Sequence, residues 1–83
     1  MKAVVIERPA RQALMKMPRP TAMRIVAKIE QYATEPASLA NQVKSLADDH
    51  RKRLRVGDRR VLFVEDRTTI TVLDIRSRGS AYR

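Results

Sequence analysis

Cysteine is absent from this 83-residue chain and histidine occurs once, as His50. That excludes a disulfide framework, a thiol nucleophile and the Cys/His zinc sites. His50 stands alone and Asp48 with Asp49 are consecutive, which makes neither a metal cage nor a serine-hydrolase triad. Glycine occurs twice, too rarely for a phosphate-cradling loop, and neither the Rossmann nor the P-loop spacing is present. Tryptophan is missing and the aromatics are Tyr32, Phe63 and Tyr82, a weak set for reading single strands by base stacking. Apolar runs never exceed the four residues of 3–6 and 61–64, so no membrane span and no signal-peptide core is expected. The expectation is a soluble, cytoplasmic protein without membrane contact.

What the chain has in excess is positive charge. Lys and Arg number 18 against 9 acidic residues, giving a net charge of +9 and a pI near 11.1. The excess is uneven: residues 1–49 hold 8 basic and 5 acidic side chains, residues 50–83 hold 10 and 4. Function is therefore sought in the second part, with an anionic partner such as nucleic acid, the ribosome, an anionic membrane or an acidic protein, among which composition does not choose. The length predicts a single domain over 1–83 with a thin core, and a deep substrate cavity is not expected.

Periodicity supplies the elements. Residues 2–6 are β-branched and apolar, a strand stopped by Glu7-Arg8-Pro9. Ala10, Ala13, Leu14 and Met17 share a helical face until Pro18-Arg19-Pro20. Thr21 is the expected N-cap of a second helix, whose stripe is Ala22, Ile25, Val26, Ile29 and Ala33 and which ends near Thr34. Residues 36–49 read as mostly loop. From His50 the period becomes two, and Gly57-Asp58 supplies a tight turn. A two-residue loop there sets Val56 against Arg59, Arg55 against Arg60 and Leu54 against Val61. Leu54, Val56, Val61 and Phe63 then form the core face. The other face carries Arg51, Arg53, Arg55 and Arg60, an arginine array suited to holding phosphate oxygens. A last strand covers 69–75. The fold class is α+β, in the order β-α-α-β-β-β, with a twisted antiparallel sheet and a helical hairpin on one face.

Residues 53–63 (RLRVGDRRVLF) and 69–83 (TITVLDIRSRGSAYR) resemble the RelE/ParE superfamily of bacterial toxins from type II toxin-antitoxin modules. The likeness extends over the chain's length and is most specific in 51–83. It implies a small twisted sheet with two helices on one face, and a cognate antitoxin that wraps the toxin. Members of the RelE branch cut mRNA in the ribosomal A site without a cofactor; members of the ParE branch inhibit DNA gyrase. On the RelE pattern, which the resemblance favours, Arg51 and Arg53 match the second-strand basic pair, Arg60 the third-strand arginine, Arg78 the later arginine and Tyr82 the terminal tyrosine. Arg59 stands where many members have tyrosine. Partners implied are the antitoxin, the ribosome with mRNA, and operator DNA reached only through the antitoxin. A gyrase inhibitor, or a weak toxin acting mainly as antitoxin-bound co-repressor, remain the alternatives.

Cleavage of that kind drives a ribose 2′-hydroxyl onto the adjacent phosphate. Arginines orient the RNA and stabilise charge but accept no proton at neutral pH. Tyr82 is the first candidate base and His50 the second; Lys52 falls on the opposite face by parity. Simple loops at Asp66-Arg67 would put Arg76 and Arg78 on the Val61 side, so a bulge or a turn after Ile75 is required to bring Arg78 beside Arg60.

Overall fold

The computed structural model describes residues 1–46 and 50–77. It contains β1 (Ala3–Ile6), α1 (Arg8–Lys16), α2 (Arg19–Thr34), a 3-10 segment (Pro36–Gln42), β2 (Val43–Ser45), β3 (Lys52–Val56), β4 (Arg59–Glu65) and β5 (Thr69–Ser77). The strands form one sheet in the order β1-β5-β4-β3-β2. The helices carry the chain across one face, so β2 starts at the far edge. Each antiparallel strand then steps back until β5 reaches β1, which it meets in parallel. The expected α+β class and helical hairpin are present, but the sheet is mixed rather than wholly antiparallel.

Two local expectations are revised. Helix α2 begins at Arg19 with Pro18 as its N-cap and Pro20 in its first turn, so Thr21 lies inside the helix and no side chain caps it. Proline's fixed φ suits the first turn, where its missing N–H would have had no helical partner. Residues 36–46 are more ordered in pattern than a loop. The 3-10 segment kinks at Leu39, which leaves helical φ/ψ and buries its side chain to 3% exposure. Strand β2 follows, pairing Val43 with Leu54 and Lys44 with Arg53.

The core lies between the helices and one sheet face. Ile25, Ile29 and Tyr32 from α2 and Ala10 from α1 meet Leu54, Val56, Val61, Phe63, Ile70, Val72 and Ile75 from the sheet, all buried. Tyr32 meets Phe63 edge-on, with ring centroids 5.2 Å apart. The β3–β4 register is the expected one: Val56 opposite Arg59, Arg55 opposite Arg60, Leu54 opposite Val61. It is fixed by Gly57, whose φ of 58° is the left-handed conformation the tight turn needs. Its replacement by alanine should cost about 1–2 kcal/mol, the penalty of a Cβ in that region. The new Cβ would lie 3.7 Å from the Arg24 Nη1, an ordinary contact, so the loss would be backbone strain alone. Chemical denaturation of Gly57→Ala measures it; an unchanged midpoint would mean that the turn adopts another form at no cost.

Candidate nucleic-acid interface

Alternation along the strands sends every second side chain away from the helices, and the register then decides which of them become neighbours. In β4 and β5 that register shifts by one residue. Leu62 pairs with Asp74 and Phe63 with Val72, leaving Leu73 without an opposite residue. This bulge keeps Ile70, Val72 and Ile75 in the core while turning Arg76 to the open face opposite Arg60. Of the two devices expected, a bulge or a turn after Ile75, the described residues show the bulge; it sets Arg76 beside Arg60, while Arg78 lies outside the described residues.

Arg55, Arg60 and Arg76 consequently stand abreast on β3, β4 and β5. The row beside it runs Lys44, Arg53, Leu62, Asp74 across β2 to β5. Directly opposed residues have Cβ atoms about 4.5–5.5 Å apart, so Arg55, Arg60 and Arg76, and likewise Lys44 with Arg53, are near neighbours of like charge. Asn41, Gln42, Lys44, Arg53, Arg55 and Arg60 line a depression of about 220 Å³ with no acidic side chain in its wall. At the β5 edge the one described carboxylate on this face, Asp74, accepts a 3.0 Å bond from the Arg76 Nε and one from the Ile75 N–H. Both partners of that ion pair are partly exposed, at 51% and 30%, so it anchors Arg76 without greatly reducing the positive field.

Of the residues singled out from sequence, Arg53, Arg55 and Arg60 come together here. Arg51 precedes β3; its carbonyl accepts from the Leu46 N–H, and its exposed side chain lies outside the wall of the depression. His50 is exposed beside it and likewise outside that wall. Arg78 and Tyr82 fall outside the described residues. Lys44, Asn41, Gln42 and Arg76 were missed by sequence reasoning. The first three sit in a stretch whose strand is only three residues long, and Arg76 owes its place to the bulge.

On the other face, Glu65 gathers two short ion pairs. Glu65, at core parity on β4, is 11% exposed; it accepts from Lys2 Nζ at 2.6 Å, Lys52 Nζ at 2.6 Å and Tyr32 Oη at 2.5 Å. Burial alone would raise its pKa, but the two ammonium groups and the phenol outweigh it and hold the carboxyl at about 2. The Tyr32 hydroxyl is pushed up, first by burial and then by the Glu65 carboxylate. Lys52 therefore lies across the sheet from the arginines, as parity required, and Tyr32 is spent inside the fold. The β4–β5 turn is closed by Asp66, which accepts from the Thr68 and Thr69 N–H groups at 2.8 Å and is held below its usual pKa by them.

No family model and no curated protein matches the chain. Solved structures do. A chain of the archaeal RelE-RelB complex from Pyrococcus horikoshii OT3 superposes with a TM-score of 0.79 at 24% identity, covering 94% of this chain and 96% of that one. A chain of the RelB-RelE antitoxin-toxin complex from Methanococcus jannaschii gives 0.76 at 22%, covering 94% of each. A chain of the toxin-antitoxin complex RelBE2 from Mycobacterium tuberculosis gives 0.65 at 25%, covering 93% and 98%. The RelE-like resemblance read from residues 51–83 is thus matched by a fold shared over nearly the full length.

Proposed function

We propose that the chain is the toxin of a type II toxin-antitoxin pair and that it cuts messenger RNA on the ribosome. The fold in common with chains of RelE-RelB complexes supports the first part, and with it a cognate antitoxin as partner. The observation that carries the second is the row Arg55, Arg60, Arg76 with Arg53 and Lys44 beside it, a positive sheet face whose depression has no carboxylate in its wall.

Such a face suits the demands of the reaction. The 2′-hydroxyl loses its proton, its oxygen attacks phosphorus, and the 5′-oxygen leaves with a proton, producing a 2′,3′-cyclic phosphate and a free 5′-hydroxyl. Negative charge grows on the phosphoryl oxygens, where guanidinium groups fixed on neighbouring strands act without reorganising. Arg53, Arg55 and Arg60 hold and neutralise the phosphates in this reading, and Arg51, exposed just before β3, adds a cation beyond the depression. Arg78 adds to the stabilisation of charge on the phosphate, Tyr82 takes the first proton, with His50 as the alternative base, and water protonates the leaving oxygen. Operator DNA is reached only through the antitoxin, and the place of action is the cytoplasm, with the translating ribosomes.

Primer extension on a reporter mRNA after induction, with and without active translation, tests the reading. Cuts inside codons that appear only on translated message are expected. Growth arrest with intact mRNA and damaged DNA would overturn it in favour of gyrase.

A further inference from the structure

The core-facing row of β4 runs Arg59, Val61, Phe63, Glu65, with a charge at each end. The two ends are satisfied very differently. Glu65 is met by Lys2, Lys52 and Tyr32. Arg59, half-buried at the hairpin tip opposite Val56, makes no hydrogen bond or ion pair among the described residues. Arg24, which reaches the same spot from the second turn of α2, makes none either. Its guanidinium lies over the turn, with the Nη1 3.7 Å from the position a Cβ would take on Gly57.

The two arginines, Thr21 and Asp58 line a notch of about 160 Å³ between α2 and the hairpin tip. That is well below the ~300–1,000 Å³ of sites that hold drug-sized ligands, and about the room of five waters at ~30 Å³ each. A small ion fits and a nucleoside does not. Asp58 is the wall's one acid; it is exposed and pairs with neither arginine. The first turn of α2 supplies no carboxylate, and the Thr21 hydroxyl has no partner among the described residues. A partly buried guanidinium without a counter-ion is unfavourable, and an anion removes that penalty. Shape then selects the anion. A carboxylate presents one pair of oxygens and engages one guanidinium fork bidentately, whereas a tetrahedral phosphate presents several pairs and engages both, with an oxygen left for the hydroxyl.

We propose that the notch formed by Arg24, Arg59 and Thr21 binds a single phosphate group, at a site separate from the arginine row. Arg59 and Arg60 are consecutive in β4 and point to opposite faces, so notch and row lie on either side of the hairpin tip. A nucleic-acid backbone rounding the tip meets both, while a free phosphate ion fills the notch alone. The inference goes beyond the RNA reading and does not depend on it.

The test follows the backbone amides of Thr21 and Gly57 in proton–nitrogen correlation spectra of the full chain. Sodium phosphate is titrated at constant ionic strength, and dimethyl phosphate and sodium acetate are then titrated in its place. Saturable shifts of both amides are expected with phosphate. Equal binding of dimethyl phosphate identifies a nucleic-acid backbone as the source of the group, and binding of inorganic phosphate alone identifies the free ion. Acetate should bind about tenfold more weakly, for want of a second oxygen pair. Arg24→Gln and Arg59→Gln should each weaken phosphate binding about tenfold or more, and Arg53→Gln should leave it unchanged. Arg24 is exposed, so its variant keeps the test valid should Arg59→Gln fail to fold. Absence of a saturable shift, phosphate binding that survives Arg24→Gln, or equal binding of acetate would each overturn the proposal.

Discussion

An Arg55→Gln, Arg60→Gln variant is expected to cut translated mRNA about 10³-fold or more slowly than the parent, because each fixed donor aimed at developing charge contributes about 10²–10³. Arg55→Gln by itself should fold at least as well as the parent. Arg55 faces Arg60 directly across β3 and β4, and Arg60 faces Arg76 across β4 and β5. Like charges so placed cost about 0.2–1 kcal/mol per pair, and glutamine keeps most of the aliphatic stem. Activity and stability thus move in opposite directions, the signature of a site kept for an anionic ligand rather than for the sheet. In binding to single-stranded RNA, the log-log salt slope should also fall by about 0.7 for every phosphate that is no longer neutralised. Arg67→Gln, which removes a single charge from the exposed β4–β5 turn, should change neither. Cleavage at the parental rate in the double variant would remove the arginine row from the mechanism, and a large fall in melting temperature would make it structural.

Legibility in the sequence followed the range of the physics involved. The β3–β4 hairpin could be read to the residue because a side-chain period of two and one turn glycine fix register locally; a slip by one would turn Leu54, Val56, Val61 and Phe63 to the outside. The bulge had a local signal that simple alternation overrides. Buried residues in β5 are spaced by two from Ile70 to Val72 and by three from Val72 to Ile75, and the extra residue decides that Arg76 joins the arginines. The parallel pairing of β1 with β5 had no local signal, since it depends on where four later strands leave the last one. Strand β2 was hidden by its brevity, and with it Lys44. Glu65 was overlooked although its parity with Val61 and Phe63 places a carboxylate on the core side, which is tolerable only where cations converge on it.

Glu65→Gln is expected to cost about 2–3 kcal/mol at neutral pH and to lower the melting temperature by roughly 8–24 °C, given ~4–8 °C per kcal/mol for a domain of this size. The carboxylate ties β4 to the segment before β1 through Lys2, to α2 through Tyr32 and to β3 through Lys52. Its folded pKa of about 2 against a reference of 4.5 corresponds to about 3 kcal/mol at ~1.4 kcal/mol per unit. Lys2 and Lys52 are 26% and 34% exposed, and that solvent access reduces the figure somewhat. Because the folded pKa is depressed, this contribution is complete above about pH 4.5 and disappears as the pH falls from there towards 2. Parent and variant should therefore differ most near neutrality and converge at pH 2. Tyr32 gives the opposite arm. Its pKa is raised, so the stability its neutral hydroxyl confers is complete below pH 10, the unfolded value, and is lost as the pH rises above it. Tyr32→Phe should flatten that alkaline arm and leave much of the acid arm, which rests on the two lysines. Thermal melts of the three proteins from pH 2 to pH 11 measure both arms; an acid arm that persists in Glu65→Gln would assign it to other carboxylates.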